Sequence, residues 1–196
     1  SDTDKRYKGL DQNTHYAEGF DNHTTFSLWD TYRALHPLFN LVQRKRNADM
    51  VNSMVAHQKQ SAEKMLPIWS HYANENWCMI GYHSVSVLAD AMMKSNPGFD
   101  YSRALKAAVT TSNQRFYEGL GAYLDYQFVP ENLSGNSVSK TLEYAYDDWC
   151  IAQMAKKLGQ DSLYAIYQKR AAFYKNQFDS SIGFMRPRMS DGSFKK

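Results

Sequence analysis

The sequence is poor in the features that assign a protein to a class at sight. Its 196 residues include only 2 cysteines and 5 prolines. Cys78 and Cys150 match no zinc-binding spacing, and their apolar surroundings predict two buried free thiols rather than a disulfide. No run reaches the roughly 20 apolar residues of a transmembrane helix, so no membrane span is predicted. The polar first residues also predict no signal peptide.

Charge and short motifs exclude further classes. The chain has 23 Lys and Arg against 20 Asp and Glu, a net charge of +3, which is too balanced to predict a nucleic-acid partner. It contains no P-loop, no GxGxxG and no nucleophile elbow, which argues against nucleotide-binding proteins and serine hydrolases. Its 6 histidines show no HxH or HxxxH spacing, so they are interpreted as hydrogen-bonded core or surface residues rather than metal ligands.

Helical periodicity is what the chain does have. Apolar residues recur at helical spacing in successive segments separated by turn residues, which predicts an all-α fold built from antiparallel helix hairpins. The first 22 residues are predicted to be loop or short strand, and residues 119–135 to be irregular because they carry three glycines and a proline. Helices are predicted over residues 26–35 (ending before Pro37), then up to 43, 47–64, 80–96, 99–111, 137–158 and 161–178.

The predicted helix over residues 137–158 carries an unusual group of acids and aromatic rings. Carboxylates beside flat rings suit sugars, which offer hydroxyls to the acids and apolar C–H faces to the rings. One helix cannot place two carboxyls on opposite sides of a substrate as an inverting glycosidase requires. The acids Glu143, Asp147 and Asp148 are therefore predicted to orient neighbouring loops. The core-facing stripe is predicted to be Val138, Leu142, Ala145, Trp149, Ala152 and Ala155.

The dipeptide Trp29-Asp30 is a first candidate for ligand binding. The indole ring of Trp29 offers a stacking face, and the Asp30 carboxylate beside it can accept hydrogen bonds. The alternative is that Trp29 lies in the core while Asp30 pairs with Arg33 at i,i+3.

Two further groups have similarly double interpretations. Asn74 and Glu75 precede a predicted helix, where an amide and an acid can bind hydroxyls or can simply satisfy free N–H groups of the first turn. Arg186 and Arg188 lie near the end of the chain. They can contact a substrate or pair with acids.

Four segments of the chain form an ordered set of motifs. They are residues 26–33 (FSLWDTYR) with His36-Pro37, 78–84 (CMIGYHS), 141–149 (TLEYAYDDW) and 183–188 (GFMRPR). Taken in this order, they resemble one enzyme family, the family 92 glycoside hydrolases. The matches occur in family order and span nearly the whole chain, which makes them far more specific together than singly. Members of this family are calcium-dependent, exo-acting α-mannosidases, many of them α-1,2-specific, from bacteria that degrade glycans.

The resemblance implies an (α/α)6 toroid, hydrolysis with inversion, Ca²⁺ as cofactor and mannose-containing glycans as substrates. It places Trp29 and Asp30 at positions that bind the terminal mannose, and Asn74 and Glu75 in a loop that lines the same pocket. It assigns no catalytic residue to this chain. Since relatives are exported, a periplasmic or extracellular location in a bacterium is expected.

The chain also departs from the family pattern. The Glu-Gly-Asn motif of the general acid, the calcium-ligating Asn-Glu-Pro motif and the Gly-Asn-Asp-Asp segment of the base do not occur in it. Residues 1–196 are therefore expected to be the N-terminal portion of the toroid catalytic domain. The β-sandwich domain, the rest of the toroid and the calcium ligands are expected elsewhere in the protein. Such a fragment is expected to be inactive and to associate with itself.

A second class of function fits the same residues. The chain can be a non-catalytic carbohydrate-binding or scaffold module, which would bind mannose unaided through Trp29. Another toroid glycosidase of the glucoamylase type is disfavoured by the order of the motifs.

Overall fold

The computed structural model describes residues 3–196, and they divide into two compact units between Thr111 and Ser112. Helices predominate in both units, and the strands are two or three residues long, so the all-α prediction is confirmed. The first unit contains β1 (Arg6–Lys8), β2 (Thr14–Tyr16), α1 (Leu28–Thr31), α2 (Leu35–Val42), α3 (Arg44–Gln60), β3 (Ser70–His71), β4 (Asn74–Glu75), α4 (Ser84–Met93) and α5 (Tyr101–Thr111).

Helix α4 forms the centre of the first unit. Its residues are apolar or small on nearly every side, so it can be buried all round, and it contacts α2, α3 and α5. The two-stranded ribbons β1–β2 and β3–β4 are antiparallel and lie outside this helical core. The core side chains include Val51, Met54, Val85, Leu88, Met92 and Leu105.

Helix α2 is amphipathic in the opposite sense to an ordinary surface helix. His36 and Asn40 are buried, whereas Leu38, Leu41 and Val42 are 52%, 70% and 62% exposed. The buried groups are satisfied: His36 Nδ1 lies 2.8 Å from Asn47 Oδ1, and the Asn40 amide donates to Asp90 at 2.8 Å. Polar groups thus attach α2 to the unit, and its leucine face remains uncovered by residues 3–196.

The second unit is organised around the long helix α7. The sequence predicted its bounds to within one residue at its C-terminal end, where Lys156 and Lys157 occupy the last turn. Helix α8 packs against it. The elements of this unit are α6 (Leu120–Tyr126), α7 (Ser137–Lys157), α8 (Asp161–Ala171), a 3₁₀ helix (Phe173–Gln177), β5 (Phe178–Asp179) and β6 (Phe184–Met185).

A buried ion pair connects α7 to α8. Arg170 Nε donates to Asp148 Oδ2 at 2.8 Å, and the Tyr123 hydroxyl donates to the same oxygen at 3.0 Å. Arg170 also donates to the carbonyl oxygen of Ser112 at 2.9 Å. Several hydrogen bonds compensate the desolvation of both charges, which is what a buried pair requires.

This ion pair explains why the stripe predicted for α7 was partly wrong. Trp149 is 48% exposed and stacks with Tyr146 at 6.4 Å between ring centroids, whereas Asp147 and Asp148 are fully buried. Apolar periodicity could not identify this face because Asp148, which lies on it, has buried partners on other elements. Ala145, Ala152 and Ala155 are buried as predicted, and Val138 and Leu142 are half-buried.

Several boundaries also differ from prediction. Helix α1 is a single turn, and Pro37 lies in the first turn of α2, where a missing N–H group is tolerated. Helix α6 occupies part of the segment predicted to be irregular. Cys78 is exposed in a loop and only Cys150 is buried, and both are free thiols. The apolar periodicity of residues 161–178 predicts that Ile166, Tyr174 and Phe178 face the core, but all three are exposed.

No helix within residues 3–196 is both long and apolar enough to cross a membrane.

Candidate functional site

Trp29 and Asp30 lie on the single helical turn α1, with Trp29 half-buried and Asp30 exposed. The Asp30 carboxylate accepts a hydrogen bond from the Ser27 hydroxyl. Arg33 does not pair with it. The guanidinium instead lies over the Trp29 ring, 4.4 Å from its centroid, and over the Tyr32 ring at 4.7 Å. The ion pair considered from the sequence is therefore not formed, and one face of the indole is covered by a cation.

Asn74 and Glu75 form the second strand of the tight hairpin β3–β4. The Asn74 side chain is exposed, and its amide donates to the carbonyl oxygen of Tyr72 at 3.0 Å. The Glu75 side chain is only 5% exposed. The two neighbours thus differ: Asn74 is available to solvent, whereas Glu75 points into the protein.

The Glu75 carboxylate gathers four backbone amides. Ile68 and Trp69 donate at 2.9 and 2.8 Å. Asn76 and Trp77 donate at 3.0 and 3.1 Å. Hydrogen bonds to a charged group are roughly twice as strong as neutral ones. Glu75 therefore satisfies free backbone amides, which is the second of the two interpretations given from the sequence. The amides belong to the loop before α4 rather than to the first turn of a helix.

The same loop is connected to the Trp29 segment through the backbone. Phe26 N donates to Ser70 O at 3.1 Å, and Leu28 N donates to Ile68 O at 3.4 Å. Ile68 also donates its N–H to Glu75. The carboxylate therefore holds the backbone segment to which the start of α1 is hydrogen-bonded. Glu75 is accordingly a positioning group for the Trp29-Asp30 turn.

His57 of α3 lies behind this carboxylate, with Nε2 3.7 Å from Glu75 Oε2. Burial lowers the pKa of His57 to about 3, since a charged imidazole would lose its hydration there. Burial also raises the pKa of Glu75, and the four amides counteract part of that rise. Both shifts have one origin, the exclusion of water from the space between α3 and the loop.

The loop itself has a strained backbone. Tyr72 and Ala73, at the hairpin turn, have φ of 48° and 56°, and Trp77 and Met79 have φ of 54° and 69°. Left-handed conformations are uncommon for residues other than glycine, and when the surroundings enforce them they cluster at functional sites. Tyr72 and Ala73 form the two-residue turn of β3–β4, where positive φ at both positions matches the twist of the strands. At Trp77, the hydrogen bond from its N–H to Glu75 helps to hold the left-handed conformation.

A small cavity of about 220 Å³ is lined by Asn74, Glu75 and Trp77. Trp29 and Asp30 do not line it. Backbone hydrogen bonds thus connect the Trp29-Asp30 segment with the Asn74-Glu75 loop. The four side chains do not all lie around this cavity.

The other candidates have structural partners. Arg186 pairs with Asp179 at 3.0 Å, and Arg188 donates to the carbonyl oxygens of Gly192 and Asn176. Within residues 3–196, no three His, Cys, Asp or Glu side chains gather in a way that could hold a metal ion. The described residues therefore offer Ca²⁺ no cluster of three carboxylates.

Sequence reasoning missed three contributors to this region. Ser27 holds Asp30, Tyr32 stacks on His83 with ring centroids 4.1 Å apart, and His57 lies behind Glu75. Tyr32 and His83 both occur within the quoted motifs. Their stacking contact could have been predicted from that. Nothing in the spacing of His57 or Ser27 indicates its contact.

We expect Glu75→Gln to loosen this loop. Glutamine leaves one acceptor oxygen and turns an NH2 group toward backbone donors, so the loss of charged hydrogen bonds is expected to cost about 1.5–3 kcal/mol locally. Amide hydrogen exchange at Ile68, Trp69 and Trp77 should accelerate about tenfold to a hundredfold. Glu63→Gln, an exposed acid in the preceding loop, is the control. Unchanged exchange in Glu75→Gln would contradict the positioning role.

We expect His57 to make the protein acid-sensitive. Its pKa of about 3 lies below the unfolded value near 6.5. Its stabilising contribution is therefore present above pH 6.5 and is lost as pH falls toward 3. Relative to His57→Gln, the native protein should lose about 2 kcal/mol between pH 6.5 and 5. Urea unfolding at both pH values checks this, with exposed His71→Gln as control. Parallel losses in native protein and His57→Gln would refute it.

Comparison with known proteins now adds to this geometry. The model of the glycosyl hydrolase family 92 catalytic domain matches residues 1–196. A family 92 α-mannosidase from Bacteroides thetaiotaomicron, solved in complex with mannoimidazole, is 55% identical over 100% of this chain, with a TM-score of 0.98. A family 92 inverting mannosidase from the same organism is 32% identical over 97% of the chain, with a TM-score of 0.89.

An uncharacterized secreted glycosidase from Arthroderma benhamiae is 25% identical over an alignment of 142 positions, which covers 58% of this chain and 18% of that protein. The chain spans only 26% of each of the two solved mannosidases. The resemblance carried by the four motifs is confirmed, and the chain belongs to glycosyl hydrolase family 92.

Proposed function

We propose that the protein containing this chain is an exo-acting α-mannosidase that releases terminal mannose from glycans with inversion. The observation that carries the proposal is the 55% identity over the whole chain to an α-mannosidase solved with mannoimidazole. The 32% identity to an inverting mannosidase supports the stereochemical outcome. A preference for α-1,2 linkages and a role in N-glycan degradation belong to the proposal as well.

In this proposal Trp29 and Asp30 bind the terminal mannose. The exposed carboxylate of Asp30 accepts hydrogen bonds from sugar hydroxyls, and the Ser27 hydroxyl fixes its orientation. The half-buried Trp29 ring offers an apolar surface to the C–H face of the sugar. Asn74 contributes a polar group from the neighbouring loop. Glu75 lines the same region and acts mainly by holding the backbone of both segments.

The chain is proposed to be the N-terminal portion of an (α/α)6 toroid, with a β-sandwich domain and the rest of the toroid elsewhere in the protein. The general acid, the general base and the calcium ligands then lie outside these residues. Calcium dependence is proposed for the whole enzyme and is tested by loss of activity with a chelator and its recovery on adding Ca²⁺. A periplasmic or extracellular location agrees with the secreted glycosidase among the relatives.

Asp30→Asn tests the binding role in the whole protein. Removing a hydrogen bond to a charged group costs about 1.5–3 kcal/mol, so kcat/KM for 4-nitrophenyl α-mannoside should fall about tenfold to a hundredfold. Asp21→Asn, an exposed acid of the same unit, should leave kcat/KM unchanged. Rates on α-1,2- and α-1,6-mannobiose measure the linkage preference. Full activity of Asp30→Asn would reject the assigned role.

The isolated chain, residues 1–196, should release no mannose and should associate with itself. The uncovered leucine face of α2 favours association, because exposed apolar patches seek partners. Leu38→Glu with Leu41→Glu should reduce the apparent mass in size-exclusion chromatography with light scattering, whereas the neighbouring exposed Gln43→Glu should not. A compact monomer would contradict the expectation of self-association. Mannose binding by the isolated chain that Trp29→Ala abolishes would instead favour the non-catalytic module.

A further inference from the structure

A second concave surface lies in the first unit, apart from the predicted mannose-binding residues. The cleft has a volume of about 620 Å³ and is lined by the β1–β2 hairpin with the loop after it, by α3, and by the segment that leads into α5. Trp29, Asp30, Asn74 and Glu75 do not line it. Its volume is in the range of pockets that bind small organic ligands.

Aromatic rings line the cleft on separate segments. Tyr16 is 63% exposed at the end of β2, Phe20 follows it in the loop, and Phe99 comes from the segment before α5. Phe99 is supported by Tyr101, whose ring centroid is 4.9 Å away. Phe20 and Phe99 are half-buried. Ring faces that remain accessible on the walls of a cleft provide stacking surfaces for the C–H faces of pyranose sugars.

The charged groups of the cleft are available. Among residues 3–196, no hydrogen bond or ion pair involves the side chains of Glu18, Lys59 or Arg103. Asp100, the other acid of the lining, accepts from the Arg103 backbone N–H at 3.0 Å at the start of α5. Two cations and two carboxylates balance, so the lining favours a neutral ligand with many hydroxyls over a polyanion or a polycation.

The frame around these groups is fixed before any ligand arrives. Gln60 of α3 donates to the Tyr7 hydroxyl of the hairpin at 2.8 Å. Asn52 of α3 donates to the carbonyl oxygen of Gly98 at 2.8 Å. Both walls are thereby attached to the same helix, and a preorganised cleft loses less conformational entropy on binding.

From these observations we propose that the cleft is a second glycan-binding site, which holds neutral, mannose-containing chains away from the bond being cleaved. The proposal rests on the mannosidase function proposed above. A glycan held at two places gains affinity because the second contact is intramolecular. The cleft should therefore matter for branched or polymeric substrates and not for small ones.

The test compares native protein with Tyr16→Ala and Lys59→Met in the whole protein, with exposed Tyr126→Ala of the second unit as the matched control. Aromatic contacts are worth about 0.5–1.5 kcal/mol, so Tyr16→Ala should raise the KM for yeast mannan about two- to tenfold. It should leave kcat/KM for 4-nitrophenyl α-mannoside unchanged. In affinity electrophoresis, mannan should retard the native protein and Tyr126→Ala more than either cleft variant.

Each result decides the matter. Equal KM for mannan and equal retardation of all variants would contradict the proposal. The cleft would then be covered by another segment or filled only by water. A parallel loss of activity on the small mannoside would also overturn it, since the cleft would then serve the reaction itself. Failure of the native protein to hydrolyse any mannoside rejects the proposed function, a result distinct from both.

Discussion

The arrangement of the candidate site depends on one buried carboxylate. Glu75 accepts hydrogen bonds from the amides of Ile68, Trp69, Asn76 and Trp77, and the carbonyl groups of the same strip receive the amides at the start of α1. In a helix or sheet, backbone carbonyl groups would accept the hydrogen bonds of these N–H groups. In this irregular loop, the Glu75 carboxylate accepts them instead.

Buried polar pairs serve a similar purpose elsewhere. The amides of Asn40 and Asn47 attach α2 to its unit, and Asp148 with Arg170 attaches α8 to α7. In α2 the polar side faces inward and leucines remain exposed, whereas in α7 two acids are buried beside apolar residues and Trp149 remains exposed. The uncovered face of α2 that carries Leu38 and Leu41 is an exposed apolar patch, and such patches mark interaction sites.

The burial of polar groups and the exposure of apolar ones also explain what the sequence could and could not predict. Helix existence followed from periodicity. The C-terminal end of α7 and the start of α8 were located to within a residue because lysines, glycine and aspartate mark them. The helix predicted to reach residue 178 ends at Ala171, and a 3₁₀ helix follows it. The sequence did not predict the exposure of Trp149 and Cys78 or the burial of Asp148. Burial depends on partners that are distant in sequence. The pairing of Trp29 with the Asn74 loop was implied by family resemblance alone. The role of Glu75 required the coordinates, since a carboxylate that binds amides and one that binds a sugar look alike in sequence.

The β1–β2 hairpin connects the candidate site with the cleft. Gln12, in the turn of the hairpin, donates to the carbonyl oxygen of Ala73 at 3.0 Å, next to Asn74, while Tyr7 accepts from Gln60 of α3. The hairpin is thus fixed to the strained loop at one end and to the wall of the cleft at the other. Because these anchors belong to one compact unit, the separation of the two surfaces is set by the fold. For the two glycan-binding surfaces proposed above, a glycan that reaches both must match a fixed length, so together they would select for chain length and branching.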